Sequence, residues 1–566
     1  MASGRPPPPP RRARRTSAWV LGGLLALVAA VHAPLVREDP LLSRDDLTLV
    51  RPLERMGSLS DYAAALRGGA LMDVQPVRDA SLALDLWVAR RTGVSPFHAT
   101  NVLLWCAIVL LAHRLFLAVG GAPPVALAAA GLLALHPALA MAVAWVAARK
   151  HLLSCLFLLL ATLGLERARR AAAEGRRPGG ALVAGVAGAY ALSVFSQPIT
   201  LLFPLWAGWV ALTGRGPVRR AALGVALACA PVMLACAWVN MAYYTGTYVE
   251  QGAPKFVGGF QPGVSALALG RAFFNLVAPV AVATTYEPGS PYNLAGLLLL
   301  VLFAWWAARA LPWRLSTTWA LFALLPLAVV LVRMTHVFLS DPYLLTPAVG
   351  LGCLGVSLAA GRRQGVEAGV GPGRLAALGV GGVGLALLLL LVPVVHSWRS
   401  EAALWARAAD VSPSPGALVK HAFYLASGGE TEEAIGVALQ LRAWNPGHPE
   451  AGYVLGRAVH LDRTLSAEQK EQLLRENPLP GPWFHYYYAL TLGQLGRFAD
   501  AARHAREALR APRAFRAELP GVAAEATLLC RRAGGADCEG LAAPLRTLPA
   551  WSEALFQQRL AQAPAP

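Results

Sequence analysis

At 566 residues, 56% of them hydrophobic and only 14% charged, the chain carries more apolar surface than a soluble protein of this size can bury. A formal net charge of +18 suggests nucleic acid as a partner. The arginines sit in short loops between apolar runs rather than on one polar face, which argues against that class.

Residues 1–17, MASGRPPPPPRRARRTS, are proline-rich and basic and read as a disordered cytoplasmic N-terminus. The run WVLGGLLALVAAVHAPL follows. It is long and lacks a convincing small-residue cleavage site before the next charges, so it reads as a signal-anchor span rather than a signal peptide. Apolar runs near 101–118, 123–140, 151–166, 180–196, 198–213, 221–240, 291–309, 315–333, 343–360 and 375–395 follow. A span needs about 20 such residues, which predicts about eleven transmembrane helices in all. Alternate loops are rich in arginine (167–177, 215–220, 309–314 and 361–374), and the positive-inside rule makes them cytoplasmic. The segment after 396 then lies on the non-cytoplasmic side. Heavy use of Ala, Gly and Arg, with only four lysines, suggests a GC-rich bacterial genome, hence an inner-membrane protein with a periplasmic C-terminal domain.

The fold class expected is all-α. A polytopic membrane bundle occupies 18–396, with a large external loop at 36–100, and a soluble helical domain occupies 397–566. Within that domain, HAFYLASGGETEEAIGVALQLRAWNP (421–446) and FHYYYALTLGQLGRFADAARHAREALRAP (484–512) share a scheme. Small residues stand where two helices would cross (Ala434; Ala501 and Ala508) and a glycine opens the turn between them (Gly429; Gly496), the spacing of tetratricopeptide helix pairs. A degenerate third pair fits between 450 and 480. Cys106, Cys155, Cys229, Cys236 and Cys353 fall in apolar segments as small hydrophobes. Cys530 and Cys538 fall in the tail, where an oxidising compartment permits a disulfide. No CxxC or Cys/His spacing points to a metal.

The 36–100 loop is too long for a mere connector. Its adjacent carboxylates, Asp45 and Asp46, stand just beyond the first span and are candidates for a general base acting on a hydroxyl acceptor. Capping a helix or solvating the loop is the other reading of the same pair. His336 and His396 read as interfacial polar residues, and Tyr243, Tyr244, Tyr248 and Tyr286 as members of the interfacial aromatic belt.

The ordered series of motifs resembles the GT-C superfamily of polytopic glycosyltransferases, and more narrowly the transmembrane and tetratricopeptide-repeat O-mannosyltransferase family. It comprises Asp45-Asp46, Phe97-His98-Ala99-Thr100-Asn101, His136-Pro137 with Ala142 to Trp145 and Arg149-Lys150, FSQP (195–198), SDPYLLTPAVGL (340–351) and HSWRSEAALWARAADVSP (396–413). The resemblance implies transfer of a sugar from a polyprenyl-phosphate donor to a protein or glycan acceptor on the external side, without metal or other cofactor. It implies Asp45 or Asp46 as base. His98, Asn101, His136, Arg149, Lys150, Asp341 and Tyr343 would form the substrate site, and the repeats would engage the acceptor. Six positions depart from the family pattern: Leu139 stands for a histidine, Met141 for an acid, His151 for an aspartate, Gln75 and Pro342 for arginines, and Gln197 for a lysine. Those departures imply the alternative, a catalytically lapsed scaffold serving as a membrane-anchored tetratricopeptide adaptor in envelope assembly. A lipid-carrier transporter is a third class, but no inverted repeat with broken spans supports it.

Overall fold

The computed structural model describes residues 11–37, 46–67, 71, 73–244, 262–286, 289–310, 322, 341–363, 374–511, 515, 518–535, 538–546, 548 and 551–562. Among these residues the chain forms 24 α-helices and no sheet, divided between two compact units, Met1–Ser400 and Glu401–Pro566.

The first unit begins with α1 (Arg11–Arg37), so helix already covers part of the segment expected to be disordered. Arginine and alanine are strong helix formers, and the break comes from the proline run before them. The first loop folds into α2 (Asp46–Glu54), α3 (Leu59–Arg67) and α4 (Pro76–Thr92). Then come α5 (Phe97–Ala118), α6 (Pro123–Ala134), the short α7 (Ala140–Ala144), α8 (Arg149–Ala173), α9 (Gly180–Ser196), α10 (Phe203–Thr213), α11 (Gly216–Tyr244), α12 (Pro262–Val277), α13 (Pro291–Ala310), α14 (Leu345–Arg363) and α15 (Arg374–Ser397).

Among the described residues six helices are long and apolar enough to cross a membrane: Ala18–Val36, Phe97–Ala118, Val146–Ala173, Gly216–Tyr243, Asp341–Ala360 and Ala377–Ser397. The number rises to seven if the bent pair Pro123–Ala134 and Pro137–Ala144 is one broken span. The protein is thus an integral multi-pass membrane protein, with fewer full-length spans than the apolar runs predict. Length is the reason for the difference. At 1.5 Å per residue, the 17 residues of α9 rise about 26 Å, short of a ~30 Å hydrocarbon core. Gln197, with extended backbone, and Pro198 separate α9 from the next apolar helix. The predicted span at 315–333 lies outside the described residues, Phe322 excepted, as does His336. The sequence assigns α12 to a loop, yet it is a helix that crosses α13 closely. A Cβ on Gly296 would meet the Gly270 carbonyl oxygen at 1.9 Å, so only glycine permits that approach.

The second unit is a row of helices joined by tight turns: α16 (Glu401–Val411), α17 (Pro415–Gly428), α18 (Thr431–Trp444), α19 (Ala451–Leu461), α20 (Ala467–Glu476), α21 (Pro482–Gln494), α22 (Phe498–Leu509), α23 (Leu519–Arg532) and α24 (Glu553–Gln562). Local chemistry sets the ends. The Ser414 side chain caps α17 through the Ala417 amide, and Ser466 with Gln469 forms a capping box on α20. Gly429 (φ 93°) and Gly496 (φ 71°) turn the chain between paired helices in the left-handed region, as the sequence predicts. Ala434, Ala501 and Ala508 are fully buried, where the paired helices meet. Asp462 is pushed up by burial but pulled further down, to about 2, by hydrogen bonds from the Thr431 and Thr464 hydroxyls and the amides of Thr464 and Leu465.

One feature of this unit escapes motif reading. Phe423, Tyr453 and Trp483 recur at intervals of 30 residues on α17, α19 and α21. Their ring centroids lie 6.0 and 4.9 Å apart in succession, and Phe515 continues the series 4.6 Å beyond Trp483. This aromatic spine couples each helix pair to the next, the nearest-neighbour arrangement of a helical repeat array.

A histidine pair joins α21 to α22. His485 Nδ1 and His504 Nδ1 lie 3.0 Å apart, so one ring donates and the other must stay neutral to accept. Burial pushes both pKa values down. Glu507 opposes the shift at both rings, whereas His485 and Arg503 deepen it at His504 and Asp500 opposes it there. The folded values therefore lie below the unfolded value of about 6.5, and the unfolded chain binds more protons just below that pH. Stability from this pair is full above pH 6.5 and falls as pH drops towards the folded values. Amide exchange across α21 and α22, corrected for intrinsic rates, should quicken between pH 7.5 and 5 in the wild type and much less in His504→Gln.

Candidate functional site

Between α6 and α8 the chain runs LHPALAMAVAWVAARKHLL, and the helix breaks twice within it. His136 and Trp145 both take extended backbone, and Pro123–Ala134 and Pro137–Ala144 are bent by 59°. Proline 137 removes a donor, and each break strips backbone groups of their helical partners. Inside a membrane protein those groups must find partners from protein.

The first loop and α5 supply them. Asn101 Nδ2 donates to the carbonyls of Val143 (3.0 Å) and Trp145 (3.4 Å), and His98 Nε2 is 3.0 Å from the Ala144 carbonyl. Asp46, fully buried at the start of α2, accepts the Ala147 amide at 2.6 Å. It sits where the α8 helix dipole and Arg149 both favour a carboxylate. Of the adjacent pair, Asp45 lies outside the described residues.

Arg149 is the centre of this arrangement, and its side chain has no exposure. Nε donates to Asn101 Oδ1 (2.8 Å), Nη2 to the Phe97 carbonyl (2.7 Å) and Nη1 to Ser81 Oγ (3.2 Å) and its carbonyl (3.3 Å). Nη1 also forms an ion pair with Asp85 at 2.6 Å. All three guanidinium nitrogens are thus engaged inside the protein. Lys150, the next residue, is half-buried and within the electrostatic reach of His151.

A second group closes on the hairpin from the other side. His136 Nε2 is 3.1 Å from the Leu276 carbonyl, and Tyr343 meets the His151 ring edge-on with centroids 4.5 Å apart. Asp341 accepts from Asn275 Nδ2 (2.9 Å) and from the Tyr286 hydroxyl, while the Arg271 guanidinium lies 4.0 Å over the Tyr286 ring. Tyr286 is therefore a member of a buried polar cluster and not of an interfacial belt. Tyr243 is likewise buried, donating its hydroxyl to the Leu71 carbonyl, whereas His396 is exposed beside Arg399. Tyr248 lies outside the described residues.

Comparison with known protein families, characterised proteins and solved structures found no match. The geometry alone must carry the functional reading.

Gln75 and Gln197, from the first loop and the end of α9, touch each other. Gln75 Nε2 donates to Gln197 Oε1 at 2.8 Å across 122 residues of sequence, and Gln75 Oε1 accepts from Arg78 at 3.0 Å. Arg78 is buried with Asp79 (2.6 Å) and Asp73 (2.7 Å), and the Tyr62 hydroxyl donates to Asp79 at 2.7 Å. Burial lifts the Asp79 carboxyl, and Arg78 and Tyr62 hold part of that shift back. Met141 is buried in α7, and Pro342 lies in the buried turn beside Asp341. Among the described residues no group of three or more His, Cys, Asp or Glu could hold a metal ion.

The structure thus gathers His98, Asn101, Arg149 and Asp46 on one side of the hairpin and His136, Asp341 and Tyr343 on the other. Sequence reading missed Arg78, Asp79, Ser81 and Asp85 on α4, and Arg271 and Asn275 on α12. The signal for α4 was weak because its buried stripe is made of Arg78, Asp79, Leu82 and Asp85. Hydropathy sees such a face as a polar loop.

Proposed function

We propose that this protein is a GT-C-like membrane scaffold whose sugar-transfer chemistry has lapsed, and that it presents a tetratricopeptide-like domain to partners on the external side of the membrane. The reading rests on one observation above all. Arg149, the motif cation expected to hold a departing lipid phosphate, is fully buried and spends every nitrogen on Asn101, Phe97, Ser81 and Asp85. A phosphate would have to displace a paired carboxylate from a buried site, which costs several kcal/mol. Asp46 is similarly spent on the Ala147 amide. The likeness to GT-C enzymes is one of motif order in the sequence, and function is argued from the site. The disulfide between Cys530 and Cys538 suits the external placement of the second unit.

A second reading keeps the transferase. It is favoured by the placement of the buried Asp46 carboxyl beside the α8 N-terminus and by the part-exposed Lys150 three residues from the Ala147 amide that Asp46 holds. Sugar transfer from polyprenyl-phosphate donors, measured in membranes containing the wild type or Asp46→Asn, separates the two. The scaffold reading expects both to equal membranes lacking the protein. Transfer by the wild type that is lost in Asp46→Asn would establish the enzyme instead.

A further inference from the structure

A cavity of about 430 Å³ lies in the membrane unit between α6, α14 and α15, apart from most of these clusters. Its walls are Ala128, Ala129 and Leu132 on α6, Leu351 and Gly355 on α14, and Val383 on α15, with Leu276, Val277 and Pro279 at one end. Among the described residues His136 is the one polar lining residue, and its Nε2 is directed to the Leu276 carbonyl. The volume is nearly three times the roughly 150 Å³ of an apolar cavity that takes up one benzene.

Small residues carve the space. A Cβ on Gly355 would meet no atom within 4 Å, so this glycine faces the void rather than a neighbouring helix. Gly352, one turn away, differs: its Cβ would strike the Phe116 ring at 2.5 Å, so that glycine serves helix packing. The rim is continuous with the lipid-facing side of α15, where Val383 is 52% exposed.

We infer that the cavity is a binding site for one acyl chain of a bilayer phospholipid, entering sideways from the membrane past α15. Three observations select this occupant. Two of the flanking helices, α14 and α15, belong to the set able to cross a membrane, and α6 passes the same test as part of the bent pair with Pro137–Ala144, so the medium at the rim is hydrocarbon. An empty apolar space of this size forfeits dispersion contacts along its whole lining, and a chain from that medium restores them. Among the described residues no lysine or arginine lines the walls, so they offer nothing to a phosphate and do not favour a scarce lipid-linked carrier over the abundant phospholipids around it. Recognition is by chain alone. The inference stands apart from the scaffold reading, because a working transferase could hold the same structural lipid.

The test uses the full-length protein in phosphatidylglycerol/phosphatidylethanolamine vesicles containing a phosphatidylglycerol with a diazirine midway along one acyl chain. After illumination, cross-links are mapped by mass spectrometry. Wild type should label Leu351, Gly355 and Val383, and Gly355→Phe should reduce that labelling about tenfold. Labelling at the outward-facing Leu302 on α13 should not change. Gly355→Leu, a smaller plug, provides an intermediate loss and guards against misfolding of the larger variant. Folding is checked by thermal unfolding after delipidation. Added phosphatidylglycerol should raise the wild-type midpoint and leave Gly355→Phe unmoved. Equal labelling of the groove in wild type and both variants would overturn the inference, as would absence of groove labelling in the wild type, meaning that the protein fills the space itself. Displacement of the probe by polyprenyl phosphate at a small fraction of its concentration would overturn it too, by assigning the site to a lipid-linked carrier.

Discussion

Arg149→Met is expected to destabilise the membrane unit by about 3–5 kcal/mol, because it leaves the buried Asp85 carboxylate without its partner. Thermal unfolding in detergent measures the loss, and proteolysis near 136–151 should show the hairpin released. Adding Asp85→Leu to the same chain should recover much of the stability, since replacing both members of a buried pair by apolar residues is often close to neutral. The recovery will be incomplete, because Asn101, Ser81 and the Phe97 carbonyl also lose their partner. A residue kept for phosphate binding would behave differently. Its replacement would alter stability by no more than about 0.5 kcal/mol, as exposed binding residues usually do. The experiment therefore weighs the structural role of Arg149 against the catalytic one without needing a substrate.

The second large effect concerns the disulfide between Cys530 and Cys538, whose Cα atoms lie 5.4 Å apart. Closing a loop of about eight residues removes roughly 2.5 kcal/mol of entropy from the unfolded chain, and Cys530→Ser with Cys538→Ser should forfeit about that much. Amide exchange in α23 is the readout. Gly535 belongs to the same device. A Cβ there would lie 2.7 Å from Cys530 Sγ and 3.1 Å from Cys538 Sγ, so Gly535→Ala should be costly with the bridge present and mild in the double serine variant. The same cysteines report topology. If the second unit is external, a membrane-impermeant maleimide should label them in intact cells only after reduction.

The sequence reveals the helices better than their partners. Apolar runs disclose the long spans, His136-Pro137 discloses the broken one, and Gly429 and Gly496 disclose turns, because each of these signals is local. The site was only half readable. Motif order picked out His98, Asn101, Arg149 and Asp341, and the structure does bring the first three together on one hairpin. Their contacts cross between 42 and 68 residues, and that of Asp46 crosses 101, so no periodicity records them. The roles of these residues were hidden for the same reason. A cation beside a membrane looks like a phosphate ligand until its own carboxylate, here Asp85 on a helix with a charged buried face, is located.

The broken span between α6 and α8 also has a history to satisfy. When residues 136–151 leave the ribosome, α2, α4 and the start of α5 have already been made, so every side chain that will serve Val143, Ala144, Trp145 and Ala147 precedes them in the chain. Leu276 and Asp341, which close the other side, do not yet exist. Biosynthesis thus meets the bend with one half of its supports in hand, and the first loop must be folded before the hairpin can settle. Slow folding of residues 46–92 would strand a span with unpaired carbonyls in lipid, a substrate for membrane quality control rather than for assembly.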